Sequence, residues 1–148
     1  MKKAQSIGDM NIGPLSEIMV VGKLLSLGYE VFRPIGAYPI DLVCRVNGNG
    51  FIKLQIKTVR TRQRWTPIKK TIRSHRKCRP YDKSDIDYFL AVDGNDFYII
   101  PYDYVTSKTE VILSRDYFNR WDLLPPPFAP ERFEVISDSP GVTGEATC

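Results

Sequence analysis

The chain has 148 residues, 43% of them hydrophobic and 26% charged, which is the make-up of one average globular domain and excludes a multidomain enzyme and wholesale disorder. No apolar run approaches the roughly 18 residues of a membrane span, and the N-terminus lacks a signal-peptide core, so a cytoplasmic protein with no membrane partner is expected. The net charge of +4 is unevenly spread: eleven of the 21 Lys and Arg lie between Lys53 and Arg79, where there is no Asp or Glu, leaving ten against all 17 acidic residues elsewhere. Such a block beside ordinary fold-forming patterns is the electrostatic footprint of a polyanion, most often nucleic acid; the plainer reading is a solvated basic loop.

Residues 1–12 carry little pattern, and an arm or a short helix would both suit them. Gly13-Pro14 opens a segment running to Gly28, with proline placed for a first helical turn and glycine for the residue past the last. Its apolar residues, Leu15, Ile18, Met19, Val20, Val21, Leu24, Leu25 and Leu27, cover more than one stripe, so the helix is expected to be largely enclosed. Glu17 has Val20, Val21 and Leu24 at the next helical positions, and a carboxylate on an apolar stripe needs a partner. Strands are predicted at residues 29–33, 38–46 and 51–61, the last two joined across Asn47-Gly48-Asn49-Gly50. A second hairpin follows, residues 86–92 and 97–100 around Asp93-Gly94-Asn95. Residues 104–111 are ambiguous. Residues 114–124 read as a short helix with Ser114 as N-cap and Tyr117, Phe118, Trp121 and Leu124 on one face, stopped by three prolines. The segment 125–148 reads as a tail, mobile from residue 140 onward. Cys44, Cys78 and Cys148 lack CxxC spacing, and with one histidine, His75, neither a disulfide framework nor a structural zinc site is expected.

Side chains two apart on a strand share a face, so Lys53, Gln55, Lys57 and Val59 stand opposite the apolar set Ile52, Leu54 and Ile56. The apolar face suits packing against the helix; Gln55 and Lys57 call for polar partners, and Asp41, flanked by Ile40, Leu42 and Val43, is the candidate. Pairing register decides whether they meet. A two-residue loop with Asn47 opposite Gly50 puts Asp41 opposite Ile56 and on the wrong face. A three-residue loop, Gly48-Asn49-Gly50 with Asn47 opposite Phe51, puts Asp41 opposite Lys57, and a bulge would have the same effect. Taken singly, each residue has a plainer account: Glu17 as a partly exposed helix residue, Asp41 as a structural acid paired with Arg33 or Arg45, Gln55 and Lys57 as edge-strand decoration. The tyrosines Tyr98, Tyr102 and Tyr104 are read as core and rim packing.

Glu17 on a helix, Pro39-Ile40-Asp41 on a strand and Gln55-Ile56-Lys57 on the next strand resemble the PD-(D/E)XK nuclease core. Ile12-Gly13-Pro14-Leu15-Ser16-Glu17 and Gln55-Ile56-Lys57-Thr58 further resemble the compact cyanobacterial homing endonucleases encoded in group I introns. The resemblance spans residues 14–101. It implies an α/β, restriction-endonuclease-like core, a mixed β-sheet of about five strands flanked by helices. It also implies a divalent metal, Mg2+ or Mn2+, on Asp41, Glu17, Gln55 and the carbonyl of Ile56, with Lys57 orienting or deprotonating the attacking water. Two departures stand out: Ile40 separates the proline from the aspartate, and Gln55 replaces the usual acid, supplying an oxygen ligand with less charge.

Arg60, Arg62 and Arg64 alternate on one face of an extension of the same strand, and residues 69–76 can return antiparallel as a ribbon narrow enough for the major groove of DNA. Arginine and Gln63 can read base edges, while Lys69, Lys70 and Lys77 suit phosphate; Arg73, His75, Arg76 and Arg79 complete the expected DNA-binding set. A coil that orders only on DNA is the alternative. The expected function is site-specific, metal-dependent cleavage of double-stranded DNA by one nuclease domain spanning residues 1–148, most simply as an intron-encoded homing endonuclease. A Holliday-junction resolvase, a restriction nuclease and a non-catalytic DNA-binding protein are the alternatives. Cutting both strands with one site per chain calls for a homo-oligomer, a dimer or, as the resemblance implies, a tetramer.

Overall fold

The computed structural model describes residues 12–36, 38–62, 69–73, 81–105 and 110–130. Helix α1 (Ile12–Ser26) precedes β1 (Glu30–Phe32), β2 (Leu42–Val46), β3 (Gly50–Thr58), β4 (Arg60–Arg62), β5 (Lys69–Arg73), β6 (Tyr88–Asp93), β7 (Asp96–Pro101) and β8 (Glu110–Ile112). Five strands form one mixed sheet in the order β1-β2-β3-β6-β7, and β4-β5-β8 form a second, three-stranded sheet. The α/β architecture expected from the sequence is therefore present, with β3 paired antiparallel to β2 and parallel to β6. Among the described residues, no helix is long and apolar enough to cross a membrane.

Alternation along β3 divides the interior. The apolar set Ile52, Leu54 and Ile56 packs with Leu42, Cys44, Leu90, Val92 and Ile99 of neighbouring strands and with Val20 and Leu24 of α1. The opposite face carries Phe89, Ala91 and Ile100, which cluster with Ile72 of β5 and with Tyr81 and Ile86. One face of the large sheet is thus covered by a helix and the other, in part, by the small sheet. Burial pushes the Cys44 thiol up to about 12, which keeps it neutral and unreactive.

Several expectations need correction. α1 ends as foreseen, with Gly28 at φ +90 and the Tyr29 amide bonded to the Leu24 carbonyl at 3.1 Å. It is not enclosed, however: Ser16, Val20 and Leu24 are buried, while Leu15, Ile18 and Leu25 are more than half exposed, because the sheet covers a single face. Strand β2 starts at Leu42 rather than residue 38, since Pro39 has no amide to give the ladder. The hairpin takes neither register considered above: Val46 pairs with Gly50 around Asn47-Gly48-Asn49. Gly48 and Asn49 adopt the left-handed conformations, φ +81 and +61, that close this turn. Strand β3 does not run on through the arginines. Val59 makes the last bond to β6, its amide to the Val92 carbonyl at 2.9 Å, and Arg60 then enters the small sheet. The expected ribbon, β4 against β5, has a third member in β8, drawn from the ambiguous segment. In place of a helix at residues 114–124 there are two 3-10 turns, Arg115–Tyr117 and Trp121–Leu123, separated by Asn119 at φ +50. Ser114 still caps the first of them.

The prolines also do more than stop a helix. The Pro125 carbonyl accepts from the Tyr29 hydroxyl at 2.6 Å, the Pro126 carbonyl accepts from the Asn47 amide at 2.9 Å, and Pro127 bridges to Val46. Arg45 lies 3.6 Å over the Phe128 ring. This stretch of the predicted tail is therefore docked on the end of β2. The part expected to be mobile, from residue 140, lies outside the described residues.

Candidate active site

The β2–β3 register, continued one step past Leu42–Leu54, sets Asp41 beside Gln55 rather than Lys57, but on the expected face. Asp41 is half-buried at the strand entrance, its own amide bonded to the Leu54 carbonyl at 3.0 Å. One carboxylate oxygen, Oδ2, accepts two hydrogen bonds, from Gln55 Nε2 at 2.7 Å and from the Ile56 amide at 2.8 Å. The alternative partners considered for Asp41 are engaged elsewhere, Arg33 with Glu17 and Arg45 with Glu30. Gln55 is buried, which the sequence reading of an edge decoration would not require.

Lys57 lies one alternation further along β3, opposite Ala91 of β6. Burial lowers the Lys57 ammonium from its ordinary value; Asp41 opposes this, and Arg73 and Arg60 add to it. Burial likewise raises the Asp41 carboxyl; the Ile56 amide opposes the rise, Glu17 adds to it, and Lys57 and Arg33 oppose it. Asp41, Glu17 and Lys57 therefore form one electrostatic group, though they come from three separate elements. α1 is held in this relation by Ser16, buried next to Glu17, whose hydroxyl meets that of Thr58 at 3.0 Å. Glu17 itself pairs with Arg33, so its charge is partnered without touching Asp41.

Among the described residues no three His, Cys, Asp or Glu side chains gather as metal ligands. The donors available are the carboxylates of Asp41 and Glu17, the Gln55 amide oxygen and main-chain carbonyls, all hard oxygens. Two carboxylates that repel each other while one of them is being desolvated are stabilised by a cation between them. The set fits a hard divalent ion, with two anionic charges at most to hold it.

A cavity of about 300 Å³ opens beside Lys57, lined by Ile56, Lys57, Thr58, Arg60 and Arg73. Three of its five lining side chains are cationic, and its walls belong to both sheets. Arg60 is on β4, opposite Thr71, and two residues from Arg62, which pairs with Lys69. Lys70 and Arg73 are exposed on β5. The basic segment is not devoid of acidic partners, as its sequence suggests: Lys70 is ion-paired with Asp93, and β8 sets Glu110 opposite Arg73. Of the remaining expected DNA contacts, Gln63, Arg64, His75, Arg76, Lys77 and Arg79 lie outside the described residues.

Sequence reasoning missed three groups that shape the site. Ser16 and Thr58 tie α1 to β3, and the Tyr81 hydroxyl receives Lys57 Nζ at 3.2 Å. Thr58 adjoins the Gln55-Ile56-Lys57 motif and was within reach of such an argument. Tyr81 carries no local signal, because it is 24 residues from Lys57 and only the fold brings it there. Tyr98 and Tyr104 do pack as rim aromatics, against Phe118 and Tyr117.

Comparison with known proteins agrees with this geometry. A model of the PD-(D/E)XK endonuclease family matches residues 7–117. Among solved structures the chain is similar to a bacterial homing endonuclease, I-Ssp6803I, with a TM-score of 0.61 and 22% identity, covering 75% of this chain and 86% of that one. At that identity the likeness is one of fold. No curated protein sequence matches the chain. The family match takes in every element from α1 to β8, including Asp41, Gln55 and Lys57 where β2 and β3 meet: the chain belongs to the PD-(D/E)XK endonuclease family.

Proposed function

We propose that this chain is a site-specific, divalent-metal-dependent endonuclease that hydrolyses double-stranded DNA, of the homing type. The observation that carries the reading is the hydrogen-bonded Asp41–Gln55 pair, on the face of β3 that also carries Lys57, which lines a cavity with Arg60 and Arg73. A carboxylate–amide pair in electrostatic reach of an amine that lines a cationic cavity suits a phosphodiester, and no other described site combines these groups. The homing assignment is supported by the likeness to a bacterial homing endonuclease.

In this reading Asp41 and Glu17 would hold a Mg2+ or Mn2+ ion, with the Gln55 side-chain oxygen and the Ile56 carbonyl as further ligands. Such an ion would supply activation of a water at neutral pH and neutralisation of charge on the phosphate. Lys57 would hydrogen-bond the attacking water and accept its proton, a role helped by burial, which lowers the hold of the amine on its own proton. Arg60 and Arg73 bind the phosphate, orienting it for in-line attack. The water oxygen bonds to phosphorus, one phosphorus–oxygen ester bond breaks, and the leaving oxygen takes a proton from solvent. Arg62, Gln63 and Arg64 read bases, and Lys69, Lys70 and Lys77 meet neighbouring phosphates, Lys70 by exchanging its exposed pair with Asp93. Since one site cuts one strand, two copies at least act together on a duplex.

The test is incubation with a pool of randomised duplexes and four-way junctions in Mg2+, followed by sequencing of cleaved ends. Cutting of both strands in a small subset of long duplex sites is expected. Cutting of junctions regardless of sequence would make the chain a resolvase, and frequent cutting at short sites would make it a restriction nuclease. Binding without cutting in either Mg2+ or Mn2+ would leave a DNA-binding protein, the reading favoured by the neutral Gln55, whose amide already serves Asp41.

A further inference from the structure

A lysine that acts on one water has to be held to one position, and its long stem does not do this unaided. Lys57 Nζ donates to the Tyr81 hydroxyl at 3.2 Å and lies 5.0 Å from the ring centroid. The oxygen is much nearer than the ring centre, so the hydroxyl is the principal contact.

Tyr81 is itself fixed on several sides. It is 8% exposed, and its ring meets Phe89 edge-on, with centroids 5.5 Å apart and planes at 81°. Its main-chain carbonyl accepts from the Tyr102 hydroxyl at 2.8 Å. Phe89 lies opposite Gln55 in the β3–β6 ladder, and Tyr102 directly follows β7. The support for the lysine is therefore assembled from the same sheet that carries the lysine, so the two move together.

We propose that Tyr81 is the positioning residue of Lys57, its hydroxyl accepting from the amine so that the amine stays at the reacting phosphate. The proposal rests on the reading of Lys57 as the group that activates water. It gives the hydroxyl a role separate from that of the ring, which packs in the core in either case.

The test measures single-turnover cleavage in Mg2+ and equilibrium binding in Ca2+, on a duplex that the wild-type chain cleaves, for Tyr81→Phe, Lys57→Ala and the double variant. Tyr81→Phe keeps the ring and should slow cleavage about five- to tenfold, the scale of one lost hydrogen bond, with binding and thermal midpoint unchanged. In the Lys57→Ala background the same substitution should have no further effect, since a group acting through the amine has nothing left to act on. Tyr102→Phe, which loosens the carbonyl end of Tyr81, should give a smaller loss that also vanishes without Lys57. A wild-type rate for Tyr81→Phe, with Lys57→Ala slow, overturns the proposal alone. An equal loss in both backgrounds also overturns it, because that is the mark of a structural role. A wild-type rate for Lys57→Ala overturns the reading of Lys57 and this proposal together.

Discussion

In the five-stranded sheet, β3 is bonded along both edges and apolar clusters lie against both of its faces, so Gln55 and Lys57 project from a backbone with little freedom to shift. In the three-stranded sheet, the outer strands β4 and β8 have three residues each, and the exposed cations are Arg60 on β4 and Lys70 and Arg73 on the middle strand β5. Among the described residues there, the buried groups are Ile72 and Thr71, on the middle strand β5. The contrast shows how work is divided in a small chain. On the proposed function, chemistry that tolerates little misplacement would sit on the over-determined strand, and contacts that must adapt to a long, deformable polyanion would sit on the lightly held sheet. Arg60 and Arg73 are where the two meet, because they line the same cavity as Lys57.

The largest effect is expected inside the rigid sheet. Asp41→Asn should abolish cleavage while leaving DNA binding in Ca2+ within about tenfold, since it removes metal-binding charge without touching the basic strands. Its thermal midpoint should not fall, because the amide oxygen can accept the same bonds from Gln55 and Ile56. Lys57→Ala should slow single-turnover cleavage at least about a hundredfold, with affinity retained.

Ile72→Ala attacks the boundary between the regions. It removes a fully buried side chain that fastens β5 to the large sheet, and urea unfolding should show a loss of about 2–4 kcal/mol. If the contrast is sound, DNA affinity falls with it, while Mg2+ binding, followed by calorimetry, hardly changes. On the small sheet itself, Arg73→Ala should weaken binding about tenfold or less, equally for all sequences, and lower the salt slope by about one. An effect confined to one base position would instead make Arg73 a reader of sequence.

The smallest effect sharpens the metal side of the comparison. Gln55→Glu replaces the donor 2.7 Å from Asp41 with a like charge, so the metal-free protein should melt a few degrees lower. Added Mg2+ should restore the midpoint and bind more tightly than to wild type. An unchanged metal affinity would remove Gln55 from the ligand set.

What could be read from the sequence follows the same division. The alternation of Ile52, Leu54 and Ile56 against Gln55 and Lys57 was legible because a strand with one face in the apolar core and polar partners on the other imposes it over several residues. The proline and glycine that bound α1 were legible for a similar reason, each being nearly demanded by its backbone position. The hairpin register was not, since Asn47, Gly48, Asn49 and Gly50 each tolerate a tight turn and so allow several loops of similar cost. The exposure of Leu15, Ile18 and Leu25 was hidden because apolar residues around a helix state what could be covered, not what this sheet covers. Residues 114–124 have helical spacing over too few turns to distinguish an α-helix from two 3-10 turns. Tyr81 was invisible, as a contact made only by tertiary approach leaves no periodicity behind.

The parallel pairing of β3 with β6 places one more demand on the chain. Parallel neighbours need a long crossover, and here that connection, from Thr58 to Tyr88, carries the basic segment with β4 and β5. The strand bearing Gln55 and Lys57 cannot complete its second edge until this segment has been closed into a loop, so folding should be slow and limited by a non-local step. Closure cost rises only about 0.6 kcal/mol for each doubling of loop length. Grafting a longer or shorter crossover should therefore leave the β3–β6 register as it is and, on the proposed function, alter which duplex is bound.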